Sequence, residues 1–330
     1  YKSDDGKIYA TPLTFTVPIV IGYKDDLDKL NSLSDFAALA QDFEKDHKKG
    51  ENFVDSYSLL SLIGDMMSVN SASWFKEDGS LDADSLKSYL KNIKSIYDAA
   101  YDTLSDDDKS SLDETKQYYI GEDANLDASY FGFDPTSDAV SIISGSRKLA
   151  YGNMAGSYGL EQLMRKDADL AYKALPGALK NVYVPSKEMA INAKSKNMDT
   201  AKEFFEFALS TDGQKIIDNY SGFRVNKDSF DDSLVDPDAE SEGYDPSASK
   251  GSWGFSDENG REYTIDMYWP TDDQIKQLKD LIDTLDTPAY GDNTILTTII
   301  SDCIGSVLGD DSIDDDVAQV VKDINIYLSE

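Results

Sequence analysis

The sequence predicts a helix-rich α/β chain on three observations. Long segments carry apolar residues three and four apart, short apolar runs stand between them, and turn signals separate the two. With 330 residues the chain can form a large core and two lobes, since single cores stop growing near this size. Apolar residues make up 40% of it, with 20 Tyr and 13 Phe, which excludes wholesale disorder.

Asp4-Asp5-Gly6 marks a turn, and residues 7–11 and 15–22 read as two strands. Ser34 is the expected cap of a helix with Phe36, Leu39, Ala40 and Phe43 on its apolar side, closed by Gly50. Residues 57–67 continue helically, with Leu59, Leu60, Ile63, Met66 and Met67 too crowded for a single exposed stripe. Asp78-Gly79 turns the chain into a long helix whose Leu86, Leu90, Ile93, Tyr97 and Ala100 form a packed seam. Ser105 caps the next helix, which ends near Gly121. Residues 123–135 read as loop, 139–143 as a helical turn and 147–154 as strand. Gly156 to Gly159 open a short helix with Leu160 and Leu163, and 171–175 and 182–184 read as strands.

Met189, Ala190 and Ile191 form a further apolar strand before two helices. Thr200 with Glu203, and Thr211 with Gln214, have the form of capping boxes. Ala201, Phe204, Phe205, Ala208 and Leu209 fall on one apolar helical face. Residues 227–245 hold eight carboxylates and one Lys, the composition of an irregular surface excursion. Residues 253–269 alternate around Asp257-Glu-Asn-Gly260, a hairpin signal. Thr271 with Gln274 repeats the capping box, and Ile275, Leu278, Leu281, Ile282 and Leu285 follow at helical spacing. Two helices, 292–308 and 313–328, end the chain.

A net charge of −32 and only four Arg leave no basic stripe for nucleic acid and disfavour adsorption on anionic lipid. Cys303 is the sole cysteine, so no intrachain disulfide is possible; its apolar helical stripe predicts a buried, inert thiol. The longest apolar run, 11–23, is short and interrupted by Pro12 and Pro18, so no membrane span is expected. The chain opens Tyr-Lys-Ser without a Met or a leader pattern, as a processed or cut-down product would. The only histidine, His47, is expected to be exposed, and no nucleophile elbow, phosphate loop or Cys/His metal spacing occurs. Asp257, Asn259 and Gly260 match a calcium loop less well than a hairpin turn. The reading is therefore a chain with no catalytic residues, no metal and no cofactor.

The order from 182 to 230 carries a resemblance: "AIN" at 190–192, a Ser-Lys-Asn turn at 195–197, a helix with A-x-x-F, then T-x-x-G-Q and G-F-R-V-N-K at 222–227. Residues 5–12 (DGKIYATP) with Gly22-Tyr-Lys-Asp25, residues 147–160 (RKLAYGNMAGSYGL) and residues 271–330 follow in the same arrangement. In this order they resemble family 1 extracellular solute-binding proteins, the receptors of carbohydrate ABC importers. The resemblance implies an α/β, helix-rich, type II periplasmic-binding-protein-like fold, mainly the second lobe plus late segments of the first. It divides the chain into 1–12 (crossover and first-lobe remnant), 13–184 (opening stretch of the second lobe), 185–230 (first-lobe helices), 231–270 (acidic loop and hairpin) and 271–330 (closing helices of the second lobe). Most of the first lobe is expected to be missing, with the signal peptide and lipid anchor that family members carry upstream. The apolar face around Phe204 and Phe205 would then be buried by repacking or by self-association.

By the same resemblance the ligand is a sugar or oligosaccharide held between lobes that close about a hinge, delivered to the membrane subunits of an ABC permease on the cell surface. The lobes would be joined by crossings at 9–18 and 184–192, with 226–270 as a third. Sugar recognition needs flat aromatic faces and convergent polar groups. Tyr158 holds the family's aromatic position after the Gly-containing turn, against an alternative as a core aromatic. Tyr57, Phe15, Thr16, Asp292 and Asn293 complete the expected ligand contacts; strand packing and helix capping are their plainer roles. Trp74, Trp253 and Trp269 read as hydrophobic anchors. The alternatives are a cell-surface carbohydrate-binding or adhesion module without transport and, remotely, a glycoside hydrolase, which needs only two placed carboxylates.

Overall fold

One strand organises the molecule. In the computed structural model, which describes residues 8–120, 135–156, 169–217, 221–256, 262–291 and 293–329, strand β1 (Thr11–Tyr23) changes partners midway. Residues 17–21 pair antiparallel with β2 (Ala150–Met154), and residues 19–23 with β3 (Leu170–Ala174). Residues 11–16 pair antiparallel with β4 (Val182–Met189), and Thr14 and Phe15 with β5 (Phe223–Arg224). The two-residue strand Thr287–Pro288 adds to β4 in parallel. The sequence suggests two strands, 7–11 and 15–22, where the structure has the single strand β1. Pro18 is tolerated because it lies at the end of the β3 ladder, where only its carbonyl is used, accepting from the Leu175 N–H at 2.9 Å.

Alternation along β1 divides the core. Val20 faces the larger cluster, while Val17, Ile19 and Ile21 face the smaller one. The larger cluster is built mainly by helices Leu33–Asp46, Ser56–Asp65, Ala83–Asp102, Asn293–Leu308 and Ile313–Ser329. The seam Leu86, Leu90, Ile93, Tyr97 and Ala100 is buried as its spacing requires, and Trp74 is buried against Tyr89 with ring centroids 4.7 Å apart. The smaller cluster joins β1 to Ala139, Ile142, Phe223, Phe230, Leu234 and Leu278. Residues 271–330 thus divide between the clusters, Leu278 going to the smaller and Ile295 to Ile324 to the larger.

Several local expectations are corrected. The cap of helix Leu33–Asp46 is Ser32, whose hydroxyl accepts from the Asp35 N–H, and the helix ends at His47, before Gly50. His47 is half-buried: its ring lies tilted against Phe43 with centroids 5.9 Å apart, and its Nδ1 lies 2.7 Å from the Glu44 carbonyl oxygen. β4 lies upstream of the expected 189–191 strand and ends at Met189. Helix Met198–Leu209 begins at Asn197 with no side-chain cap, which places Thr200 inside the first turn, and Ser210 rather than Thr211 caps the following helix Thr211–Lys215. Only the Thr271–Gln274 box forms reciprocally. A residue three positions from Glu or Gln is a cap only if the chain enters the helix there, and in the two failures it enters elsewhere.

Helix Met198–Leu209 buries no residue: Phe204 and Phe207 are exposed and Phe205 half-buried, so its apolar face is not covered by the described residues. Nor is the acidic stretch wholly irregular. It begins as helix Lys227–Ser233, and beyond it the Lys250 ammonium bridges Asp236 at 2.7 Å and Asp238 at 3.0 Å, while the Tyr244 hydroxyl donates to Asp236. The cation that orders this stretch comes from outside it. Strands Ser249–Ser256 and Glu262–Tyr268 form the expected hairpin; its tip lies outside the described residues, and Trp253 is exposed rather than anchoring.

The last two helices carry an electrostatic cost. Asp302 on helix Asn293–Leu308 has its carboxyl pushed up, first by burial and then by Asp323 and Asp316. Asp316 on helix Ile313–Ser329 is pushed up by burial and further by Asp311 and Asp315, against hydrogen bonding from Ser306. A carboxyl raised in the folded state contributes stability below its unfolded pKa and loses it as pH rises through the folded value. Asp302→Asn should therefore raise the melting temperature at pH 7 by about 1–2 °C, for a partly exposed group worth about 0.5 kcal/mol, and the gain should vanish near pH 4. Melting curves of both proteins at the two pH values check this; a gain of equal size at pH 4 would rule out ionisation as its cause. Cys303, beside Asp302, is buried, and burial pushes its thiol well up, so it is inert.

Candidate functional site

A cavity of about 630 Å³ opens beside the crossing of β1 and β4. Four places in the chain contribute its wall. β4 supplies Val184, Pro185 and Glu188, and β2 supplies Asn153. The end of helix Ser56–Asp65 and the short turns after it supply Asp65, Ser68 and Ser71. The segment after strand Thr287–Pro288 supplies Tyr290 and Gly291, and the helix it enters supplies Asn293, Leu296, Thr297 and Ile300. The last four are three and four apart and so share one helical face. The segments meet because β1 holds β2 and β4 along its length while β4 holds strand Thr287–Pro288.

Rigid neighbours fix the polar wall. Asp65 is buried, and its carboxylate accepts from the Ser61 hydroxyl at 2.7 Å. Burial, with Asp65 adding its charge, pushes the Tyr89 and Tyr151 phenols well up. Their hydroxyls donate to the carbonyls of Ile63 and Ser58, which pins the helix that presents Asp65. Arg147 ties the start of that helix to the approach of β2, bridging Asp55 and, at 2.7 Å, Asp138. Burial pushes the Asp138 carboxyl up, and Arg147 opposes the shift.

Two buried atoms in this wall, Ser71 Oγ and Asn153 Oδ1, have no hydrogen-bond partner among the described residues. Buried polar atoms ordinarily have partners. Tyr290 supplies an aromatic surface: Phe75 stacks on it with centroids 4.7 Å apart and planes 25° apart, so one face is backed and the ring is held. The chemistry available is recognition by a ring, hydroxyls, amides and carboxylates. Among the described residues no group of three or more His, Cys, Asp or Glu has metal-binding geometry.

Of the residues singled out by sequence, Asn293 lines the cavity. Tyr158 and Asp292 lie outside the described residues. Tyr57 is exposed in the first turn of helix Ser56–Asp65, and Phe15 packs between Tyr183 and Phe223; neither is among the lining residues. Thr16 sits on β1 opposite Val184, which does line the cavity. Asp65, Ser71, Asn153 and Tyr290 escaped the sequence reading. The only sequence signal for Tyr290 was its place between a strand-breaking Pro288 and a helix start.

Residues 1–242 match the family described as bacterial extracellular solute-binding protein. The chain belongs to that family. Among solved structures, a periplasmic solute-binding protein from Pectobacterium atrosepticum superposes with a TM-score of 0.54 at 13% identity, covering 99% of this chain and 74% of the other. That likeness establishes the fold as the helix-rich α/β architecture of periplasmic solute-binding proteins. A maltose-bound MalE3 of T. maritima aligns with a TM-score of 0.48 at 12% identity over 99% of this chain and 74% of its own. A sugar transporter protein of Bacillus licheniformis in complex with stachyose aligns with a TM-score of 0.45 at 11% identity, over 98% and 74%. No curated protein matches the chain. As for this solute-binding protein's relation to membranes, no described helix is long and apolar enough to cross one.

Proposed function

We propose that this solute-binding protein captures a sugar or oligosaccharide in the cavity beside β1 and β4 and delivers it to the membrane subunits of an ABC permease, without catalysis. The observation that carries the reading is a backed aromatic ring, Tyr290, in one concave wall with Ser71 and Asn153, whose Oγ and Oδ1 have no hydrogen-bond partner among the described residues. A ring accepts the C–H face of a sugar, and such atoms gain most from hydroxyls. Asn293, at the start of its helix, is proposed as a further contact. Two antiparallel crossing strands, β1 and β4, suit a hinge, since few residues need to change torsion for the two sides to close.

Titration calorimetry of the chain against a panel of neutral mono- and oligosaccharides tests the reading. Binding of at least one with one-to-one stoichiometry supports it; silence across the panel, or release of reducing sugar from any member, ends it. A second copy of the chain is proposed to cover the open face of helix Met198–Leu209 around Phe204 and Phe205. Sedimentation should show concentration-dependent dimers that Phe204→Ser reduces. A single monomeric species at ~100 μM would remove the idea, since contacts of this kind hold in the micromolar range.

A further inference from the structure

We infer that the solute is amphipathic: a glycoside whose sugar sits by Tyr290 and whose apolar aglycone lies on an aliphatic stripe in the cavity wall. The inference rests on the solute-capture reading above and adds a ligand class to it. Val184 and Pro185 of β4, Pro288 and Ala289, and Leu296 of helix Asn293–Leu308 make the stripe, and all five are half-buried. Pairing brings the first four together. Val182 and Tyr183 lie beside Thr287 and Pro288 in parallel, and the Ala289 N–H donates to the Tyr183 carbonyl at 2.8 Å, so both segments run into the wall side by side. Tyr290 directly follows Ala289, which sets the stripe next to the ring proposed for the sugar.

What the stripe lacks decides what it holds. None of its five side chains can hydrogen-bond, Pro185 and Pro288 have no N–H, and the Ala289 N–H is committed to Tyr183. A sugar laid along these residues would strip water from its hydroxyls and meet no side-chain partner, which is costly. An apolar group has no such hydroxyls, and leaving water for an aliphatic wall is favourable. The rest of the wall is of the opposite kind. Ser68, Asn153, Asn293 and Thr297, none of them fully buried, carry hydroxyls and amides that suit sugar hydroxyls. One cavity of about 630 Å³ with both kinds of surface fits a solute with both kinds of group.

Calorimetry of the full chain with matched methyl and phenyl glycosides of glucose, galactose, maltose and cellobiose tests this, with phenol as the control. At least one phenyl glycoside should bind about tenfold or more tightly than its methyl counterpart, the order expected when most of a ring leaves water. Val184→Thr and Leu296→Gln each put a polar group into the stripe and should shrink that difference. Melting curves verify that the variants fold; Val184→Thr, which keeps the branching at Cβ, is the milder of the two. Equal binding within every matched pair overturns the inference while leaving sugar capture intact, and so does a difference that neither folded variant reduces. If phenol binds as tightly as its glycosides, or if no glycoside of either kind binds, the sugar contributes nothing and the capture reading falls together with this inference.

Discussion

Gln214→Leu is expected to lower the stability of this protein by about 3 kcal/mol, because it strips partners from three half-buried backbone groups at once. Gln214 is fully buried. Its Nε2 donates to the Ala208 carbonyl at 3.0 Å, and its Oε1 accepts from the Val225 N–H at 2.9 Å and the Asn226 N–H at 3.4 Å. One side chain thereby joins the end of helix Met198–Leu209 to the chain leaving β5. Leucine fills the volume and leaves a half-buried carbonyl and two half-buried N–H groups without these partners, the expensive outcome. Denaturant titration should show a lower midpoint with the slope unchanged; a loss under about 1 kcal/mol would mean that water or a shifted backbone replaces these bonds. Gly222, eight residues on, works in the same frame. Its φ of +110° and the 2.8 Å between an added Cβ and the Phe15 carbonyl oxygen leave room for glycine alone, and so let β5 reach β1.

Tyr290→Ala should weaken binding of the preferred sugar by about 10- to 30-fold, the loss of one ring surface worth about 1.5–2 kcal/mol, while Tyr290→Phe keeps most of it. The comparison separates the ring from its hydroxyl. Phe75→Ala should produce an intermediate loss, since it removes the backing that holds Tyr290 in place without removing the ring. If Tyr290→Ala leaves affinity within about twofold, the cavity beside β1 and β4 is not where the sugar sits. Measuring all three variants by calorimetry, alongside melting curves, keeps a folding defect from passing as a binding defect.

These expectations place the most recognisable stretch of the chain in an unexpected role. The T-x-x-G-Q and G-F-R-V-N-K residues are scaffold: Gln214 stitches, Phe223 is buried against Phe15 and Phe230, and Asn226 caps helix Lys227–Ser233 through the Ser229 N–H while also donating to the Leu209 carbonyl. A motif of this kind identifies a family through how its backbone is held, and says little about what it holds.

What the sequence determined by itself was everything set by neighbours within a few residues. The seam of helix Ala83–Asp102, the Thr271 cap, the hairpin, the two closing helices and the inert Cys303 all follow from spacing or turn chemistry, and all stand in the structure. The order of motifs also made the family legible. Tertiary structure alone decided the cavity, because the stretch with Asp65 and Ser71, Asn153 and Tyr290 are far apart in the chain and acquire meaning only where β1 holds β2 and β4 and where β4 holds strand Thr287–Pro288. It also decided the single strand through two prolines and the Lys250 bridge to Asp236, which depend on a partner's position rather than on local preference. Local pattern reports the energy of a segment with itself; a binding wall is made by segments whose meeting is fixed by the sum of all the others.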